Sequence, residues 1–362
     1  MRKIKVIAAV QLPPPVHGSS VMNQSLIQDA TVQDKLNMKV LPIQMATRLE
    51  DLNNFSLTKV LRALKVYVQF IVSRFTFRPD MCYITLSPKD FAFYKDAILV
   101  FLAKVLFVKR VIHLHGQGIK DITAASRWKT WLYRAVLSNC EIICLSPRLV
   151  DDIRHLVTRE PFVLNNGVKV SEVDTQLDRP VDFLYFASIA KSKGAREYIN
   201  ALGGLHRKGL DFQAVIAGGP KDISKEQILE LVHKHGIEDK VRVDDPVYGE
   251  AKYRLFERAR IYVLPSYIEC FPLTIIEALQ TGCAVISTRT GGIPDLLGDA
   301  ETGLLATPQS EEELQGAMEK LLADDALVKQ MGQLGIERFH QQYVWTKFIE
   351  NYLNIIEQVN GK

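Results

Sequence analysis

Short runs rich in β-branched residues alternate with longer amphipathic stretches along the whole chain, and this alternation is the strongest constraint on its fold. Parallel strands joined by helical crossovers produce that pattern, because each strand is buried on both faces and each helix on one. In the first half the runs are "KIKVIAAV" (3–10), "MKVLPI" (38–43), "MCYITL" (81–86), "RVIHLHG" (110–116), "EIICLS" (141–146) and "PFVLN" (161–165). In the second they are "DFLYFASI" (182–189), "FQAVIAG" (212–218), "KVRVDD" (240–245), "IYVLPS" (261–266), "CAVIST" (283–288) and "TGLLA" (302–306). Each set suffices for one open parallel sheet. Between them "NNGVKVSEVDTQLDRP" (165–180) is polar, turn-rich and without apolar periodicity, so it reads as a linker.

The expected class is therefore α/β, with two Rossmann-like domains whose parallel sheets face a central cleft. The expected boundaries are 1–170 for the first domain and 171–342 for the second. An amphipathic helix over 343–362 is expected to pack back across the hinge. A chain of 362 residues accommodates two such domains.

Charge separates the halves. Residues 1–178 hold 24 Lys and Arg against 15 Asp and Glu, a surplus of +9, whereas residues 179–362 carry −5. A basic first domain prefers anionic partners. The five cysteines show no CxxC pair and no metal-type spacing, a usage that fits packed thiols in a reducing cytosol. The N-terminal apolar run is short and stops at prolines, as a first strand does and a signal peptide does not. No stretch reaches the roughly 20 apolar residues of a membrane span.

One stretch carries chemistry. In "ECFPLTIIEALQTG" (269–282), Pro272 pushes Phe271 towards an extended conformation and fits the start of a helix. The expected helix begins at Pro272 or Leu273, with Glu269 in the loop ahead and Glu277 about one turn inside. Two carboxylates then flank the free N–H groups of a helix start, which bind anions. A ligand with hydroxyls at both ends and phosphates between them fits this arrangement.

Three further loops follow strands. "QLPPPVHGSS" (11–20) reaches Gly18 before a helix capped by Ser19 or Ser20, and a glycine there lets backbone approach a ligand. "SIAKSKG" (188–194) sets Lys191 and Lys193 at a strand end, in reach of a diphosphate or simply solvated. "RTGGIPDLL" (289–297) is a glycine pair at a strand-to-helix turn that serves either structure or ligand. His113 and His115 alternate with Ile112 and Leu114 and so share one side of their strand. Each serves the core or the cleft, and His115, beside Gly116, is the better candidate for the cleft. His17 is a second. No GxGxxG follows a strand, no GxxxxGK[ST] occurs, and no Asp-x-Asp is present, which argues against a dehydrogenase, a P-loop enzyme and a metal-dependent sugar transferase. No metal ligands and no bound cofactor are expected.

The stretch "LPSYIECFPLTIIEALQTGCAVISTRTGGIPDLL" (264–297) resembles the Glu-x7-Glu block and GG loop of the retaining glycosyltransferases of the GT-B fold, family 4. "KSKG" (191–194), "VLNNGV" (163–168), "TGLLATP" (302–308) and Trp345 in the last helix are similar to further family features. "PPPVHG" and "HLHG" resemble transferases of capsule, exopolysaccharide and O-antigen clusters. The resemblance implies transfer of a sugar from a nucleotide-diphosphate sugar, with a UDP-sugar favoured, to a glycan or lipid-linked glycan with retention of configuration. It implies that Glu277 accepts from the ribose hydroxyls, that Glu269 sits beside the donor sugar, and that Phe271, Leu273 and Thr274 hold sugar and diphosphate. It also implies that Lys193 neutralises the leaving group, that Gly18 approaches it from the first domain, and that His115 lies on the acceptor side.

This sequence departs from the family pattern twice. Ala187–Ser188 stand where the family has Gly-Arg, so Ser188 replaces a diphosphate cation for which Lys191 or Arg196 is the substitute at hand. Gly218 stands at an acidic position. Three rivals are weighed against transfer: a glycosidase, which needs no phosphate site, a sugar-nucleotide epimerase, and a module that binds nucleotide without turnover. "LTKVLRALKVYVQFIVSRFTFR" (57–78) carries Lys59, Arg62, Lys65, Arg74 and Arg78 among apolar residues. It reads either as a core-facing helix with a solvated side or as a peripheral contact with anionic membrane, as does "ILVFLAKVLFVKR" (98–110). The expected location is the cytoplasm, at the inner face of the membrane. No nucleic acid partner is expected.

Overall fold

The computed structural model describes residues 2–43, 57–172 and 178–361. The chain divides into two compact units, Met1–Asn166 with Thr346–Lys362, and Gly167–Trp345.

The first unit holds a six-stranded parallel sheet. Its strands are β1 (Ile4–Val10), β2 (Leu36–Pro42), β3 (Met81–Leu86), β4 (Lys109–Leu114), β5 (Glu141–Cys144) and β6 (Phe162–Val163), in the spatial order β2-β1-β3-β4-β5-β6. Every residue of β3 and the last five of β1 are buried, as central parallel strands covered on both faces must be. The chain steps one way from β1 to β2 and then returns past β1 to β3. The ends of β1 and β3 therefore form a topological switch point, where loops diverge and leave a crevice. The last helix, Trp345–Gly361, belongs to this unit from Thr346 onward. Tyr352 packs edge-on against Tyr83 at 5.5 Å, and Lys109 Nζ donates to the Val359 carbonyl at 2.7 Å.

The second unit repeats the design. Its strands are β7 (Val181–Phe186), β8 (Ala214–Ala217), β9 (Val241–Asp244), β10 (Ala259–Leu264), β11 (Ala284–Thr288) and β12 (Gly303–Ala306), in the order β12-β11-β10-β7-β8-β9. A core of Phe183, Tyr185, Tyr198, Ile216, Ile261 and Ile286, all fully buried, fills one side of the sheet. Here the switch point lies between β7 and β10, which pair directly although about 80 residues separate them, for example at Ile261 and Phe183. The loop after β7 carries Lys193 and the loop after β10 carries Glu269. The expected α/β architecture of two parallel sheets is thus present, and every expected strand run overlaps an observed strand.

Candidate functional site

The loop after β7 leads into a short 3-10 turn, Lys191–Lys193, that ends at Gly194. Gly194 has φ +72, and a Cβ there would lie 2.2 Å from the Pro265 carbonyl oxygen. Only glycine combines that conformation with that approach. The turn is thereby pressed against the loop after β10, and the Tyr267 N–H donates to the Ser192 carbonyl at 2.9 Å. The contact delivers Lys193 to Glu269: Lys193 Nζ and Glu269 Oε1 form an ion pair, both only partly exposed. The Ser266 hydroxyl donates to the same carboxylate oxygen at 3.5 Å.

The Glu269 loop is seated from beneath by the glycine pair. Gly291 has φ +55, and a Cβ on it would meet the Glu269 carbonyl oxygen at 1.8 Å. The Gly292 N–H donates to the Cys270 carbonyl at 2.7 Å, and the Thr288 hydroxyl to the Ser266 carbonyl at 2.5 Å. The "GG" loop, open to either reading in the sequence, is a support for the backbone of Glu269.

The next helix spans Leu273–Gln280, with Pro272 at its N-cap and no side-chain cap. Its first-turn N–H groups face the loop of Glu269 without a capping side chain, which suits an anion. Phe271 is buried and meets the Tyr343 ring edge-on at 5.9 Å, so its side chain anchors the loop in the core. The Thr274 hydroxyl accepts from the Tyr262 hydroxyl at 2.8 Å, while Leu273 and Thr274 remain half-buried at the helix start.

Glu277 sits one turn further in and is buried. Burial pushes its carboxyl above the usual range, and the Lys252 ammonium pulls it back. Lys252 Nζ lies 2.6 Å from Glu277 Oε1. Lys252 enters from the first turn of the helix Glu250–Glu257, after the edge strand β9. Sequence reasoning missed it. The only signal was a lysine in the first turn of a helix that follows a strand end, a pattern shared by many solvated lysines.

The remaining donor-side candidates have plain positions. Ser188 is half-buried just past β7, and its carbonyl accepts from the Tyr185 hydroxyl at 2.9 Å. Lys191 is exposed, with its backbone N–H on Asp222 Oδ1 at 3.1 Å. Arg196 is exposed on the helix Ala195–Arg207. A Cβ on Gly218 would lie 1.8 Å from the Ala187 carbonyl oxygen, so the backbone of the two loops touches there.

Gly18 and His115 lie in the other unit. Gly18 opens the helix Gly18–Gln28, and a Cβ on it would meet nothing within 4 Å. The fold imposes no need for glycine there. The N-cap is His17 rather than the expected Ser19 or Ser20, its Nδ1 accepting from the Ser20 N–H at 3.3 Å. The difference follows from Ser20 itself, whose hydroxyl accepts the His17 N–H in return and closes a capping box. His115 follows β4, and its ring centroid lies 4.1 Å from that of His113, on one side of the strand as alternation requires. His113 Nδ1 is 2.6 Å from the Tyr83 hydroxyl. Burial pushes His115 down to about 3, helped by the charge of His17, and holds His113 well below its ordinary value. The Nε2 atoms of both are buried without a hydrogen-bond partner. At neutral pH both rings are therefore uncharged. Behind His115, Asp152 accepts the N–H groups of Gly118, Ile119 and Lys120 at 2.9 to 3.0 Å and fixes the loop.

Among the described residues no group of three or more His, Cys, Asp or Glu side chains is placed to hold a metal ion. No described helix is long and apolar enough to cross a membrane.

Residues 171–338 match the family model of glycosyl transferases group 1. A D-inositol 3-phosphate glycosyltransferase of Corynebacterium diphtheriae is 34% identical over 153 residues, covering 42% of this chain and 35% of that protein. The chain thus aligns with about a third of that relative's length. Among solved structures, a sucrose-phosphate synthase from Thermosynechococcus elongatus superposes with a TM-score of 0.79 at 19% identity, covering 99% of each chain. HepE of Anabaena in complex with UDP superposes with a TM-score of 0.73 at 15% identity, covering 99% of this chain and 100% of that one. The fold is GT-B, and residues 171–338 are similar to the glycosyl transferases of group 1.

Proposed function

We propose that this protein is a retaining glycosyltransferase that moves a hexosyl group from a nucleotide-diphosphate sugar, a UDP-sugar by preference, to a glycan or lipid-linked glycan. The observation that carries the reading is the pairing of two acids with two lysines around one uncapped helix start, at the switch point of the second unit. The UDP named for the HepE structure supports the choice of nucleotide.

In this reading Glu277 accepts the ribose hydroxyls, and the donor competes with Lys252 for that carboxylate. The diphosphate sits on the first turn of Leu273–Gln280, where the backbone of Phe271, Leu273 and Thr274 meets it. Lys193 turns from Glu269 to the leaving phosphate, and Glu269 is freed to hold the donor sugar. Charge stabilisation on the departing diphosphate is the main catalytic term, because the lysine is already in place. The departing phosphate oxygen takes the acceptor proton, so the anomeric carbon is attacked on the face the nucleotide leaves and its configuration is retained. The reaction is proposed to need no metal, since Lys193 supplies the cation. His115, neutral at the end of β4, orients the acceptor hydroxyl as a hydrogen-bond partner. The acceptor is proposed to be a growing surface polysaccharide at the cytoplasmic side of the membrane.

Ser188 in the place of an arginine favours one second reading, a domain that binds nucleotide without turnover. The test is incubation with UDP-, GDP- and ADP-sugars and a detergent-solubilised lipid-linked glycan fraction, with nucleotide release followed by mass. Release of one nucleotide that depends on acceptor and is lost in Glu277→Ala supports transfer. Tight binding without release under every acceptor supports the second reading. Absence of any nucleotide interaction sinks both.

A further inference from the structure

The helix Leu57–Thr76 is apolar on two sides. Its inward side buries Ala63, Val66, Phe70 and Ser73 at helical spacing. The outward side repeats the spacing with Leu61, Leu64, Val68, Ile71, Val72 and Phe75, all exposed. A contiguous exposed apolar stripe of this length marks an interaction surface rather than an ordinary solvated helix side. The sequence allowed a solvated outer side, yet Arg62 and Lys65 are the only charges described on that face.

The neighbouring helices extend this surface. The connections from β2 to β3, β3 to β4 and β4 to β5 step the same way across the sheet, so right-handed crossovers lay their helices on one face. Leu57–Thr76 packs against Asp90–Val105, where the Tyr67 hydroxyl donates to the Lys95 carbonyl at 3.0 Å. Asp90–Val105 packs in turn against Arg127–Leu137, through Phe93 stacked on Tyr133 at 3.8 Å. That third helix exposes Trp128 (56%) and Trp131 (67%), three residues apart and so on one face. Ile98, Val105 and Phe107 stand out from the helix between and its end.

The charges decide the occupant. Neither outer helix contains an acid, whereas Arg127, Lys129 and Arg134 flank the two tryptophans as Arg62 and Lys65 flank the leucines. A second copy docking through the same face would set these cations against their own counterparts. A bilayer that carries anionic lipid satisfies both features, since tryptophans and aliphatic tips enter the headgroup boundary and the cations meet phosphate. We propose that this three-helix face of the first unit docks on an anionic lipid surface. The proposal stands apart from the donor site, because it concerns other residues and needs no turnover.

The experiment uses the full chain with phosphatidylcholine vesicles, with and without phosphatidylglycerol, read by co-sedimentation and by tryptophan emission. Only Trp128 and Trp131 are exposed, the third tryptophan, Trp345, being buried, so a blue shift on binding reports this face. The expected result is binding to the anionic vesicles, weakened by salt and accompanied by the blue shift. Leu64→Gln/Val68→Gln/Phe75→Gln and, separately, Arg62→Glu/Lys65→Glu/Lys129→Glu each lower the partition about tenfold or more. The three glutamines replace exposed residues, so the variant folds, which an unchanged nucleotide affinity verifies. Equal binding by both variants, or no binding to anionic vesicles, overturns the proposal. A dimer detected by light scattering and abolished by the glutamine variant would instead assign the face to a second copy. Vesicle binding with no nucleotide release would strike the donor-site reading alone.

Discussion

Lys252 Nζ lies 2.6 Å from Glu277 Oε1, and the two come from helices that follow different strands of the second sheet. The carboxylate is buried and the lysine is mostly so, which makes the pair costly to break from one side. Lys252→Met should destabilise the second unit by about 2 kcal/mol at pH 8. With its cation gone, the carboxyl of Glu277 rises further above its unfolded value. The folded state then prefers the protonated form, so the loss grows as pH rises through the carboxylate range and shrinks towards pH 5. Urea melts of the variant and parent at the two pH values check this, and an equal loss at both would refute it.

Lys193 is proposed to act on the leaving group. Lys193→Ala should lower kcat by about 100-fold or more, with a much smaller change in donor KM. Steady-state nucleotide release measures both. A large rise in KM with kcat unchanged would make Lys193 a ground-state binder only.

The histidines of the first unit predict an acid limb. His17, His113 and His115 all sit below their ordinary value through burial. Their neutral forms stabilise the fold above about pH 6.5, and that stability drains as pH falls towards the folded values. Acidification from pH 7 to pH 4.5 should cost about 2 kcal/mol for His115 alone. His115→Gln should flatten the limb in thermal melts taken across that range, and an unchanged slope would show that other groups set it.

Gly291 predicts a backbone effect. Gly291→Ala places a Cβ against the Glu269 carbonyl oxygen at a positive φ, so either the loop moves or the fold gives. A loss of roughly 2 kcal/mol is expected, with weaker donor binding than stability alone explains. Calorimetric titration of nucleotide into the variant, beside its melting curve, separates the two.

Much of this was legible in the sequence, for identifiable reasons. Buried parallel strands must be nearly continuous runs of apolar residues, and all twelve runs overlap strands, with ends off by up to three residues. Proline forced the break between Glu269 and the helix, so the start at Leu273 could be read directly. Strand order could not, because nothing local tells β7 to pair with β10. Lys252 was invisible for the same reason: its partner lies 25 residues on and carries no mutual spacing. The outer stripe of Leu57–Thr76 stays open to two readings in the sequence, since periodicity alone does not say which of two apolar faces is covered. The side chain of Lys59, read with that basic flank, lies outside the described residues.

Beside the Phe271 ring and the Thr288 hydroxyl, the loop of Glu269 is held by main chain, through the Gly291 contact, the Gly292 N–H and the Ser192 carbonyl. The side chain at 269 adds its ion pair with Lys193 to a loop whose path these contacts already set. Chemistry and architecture can be inherited separately here. A substitution at 269 can therefore change the chemistry the loop presents while its path stays the same, provided the glycines beneath it stay.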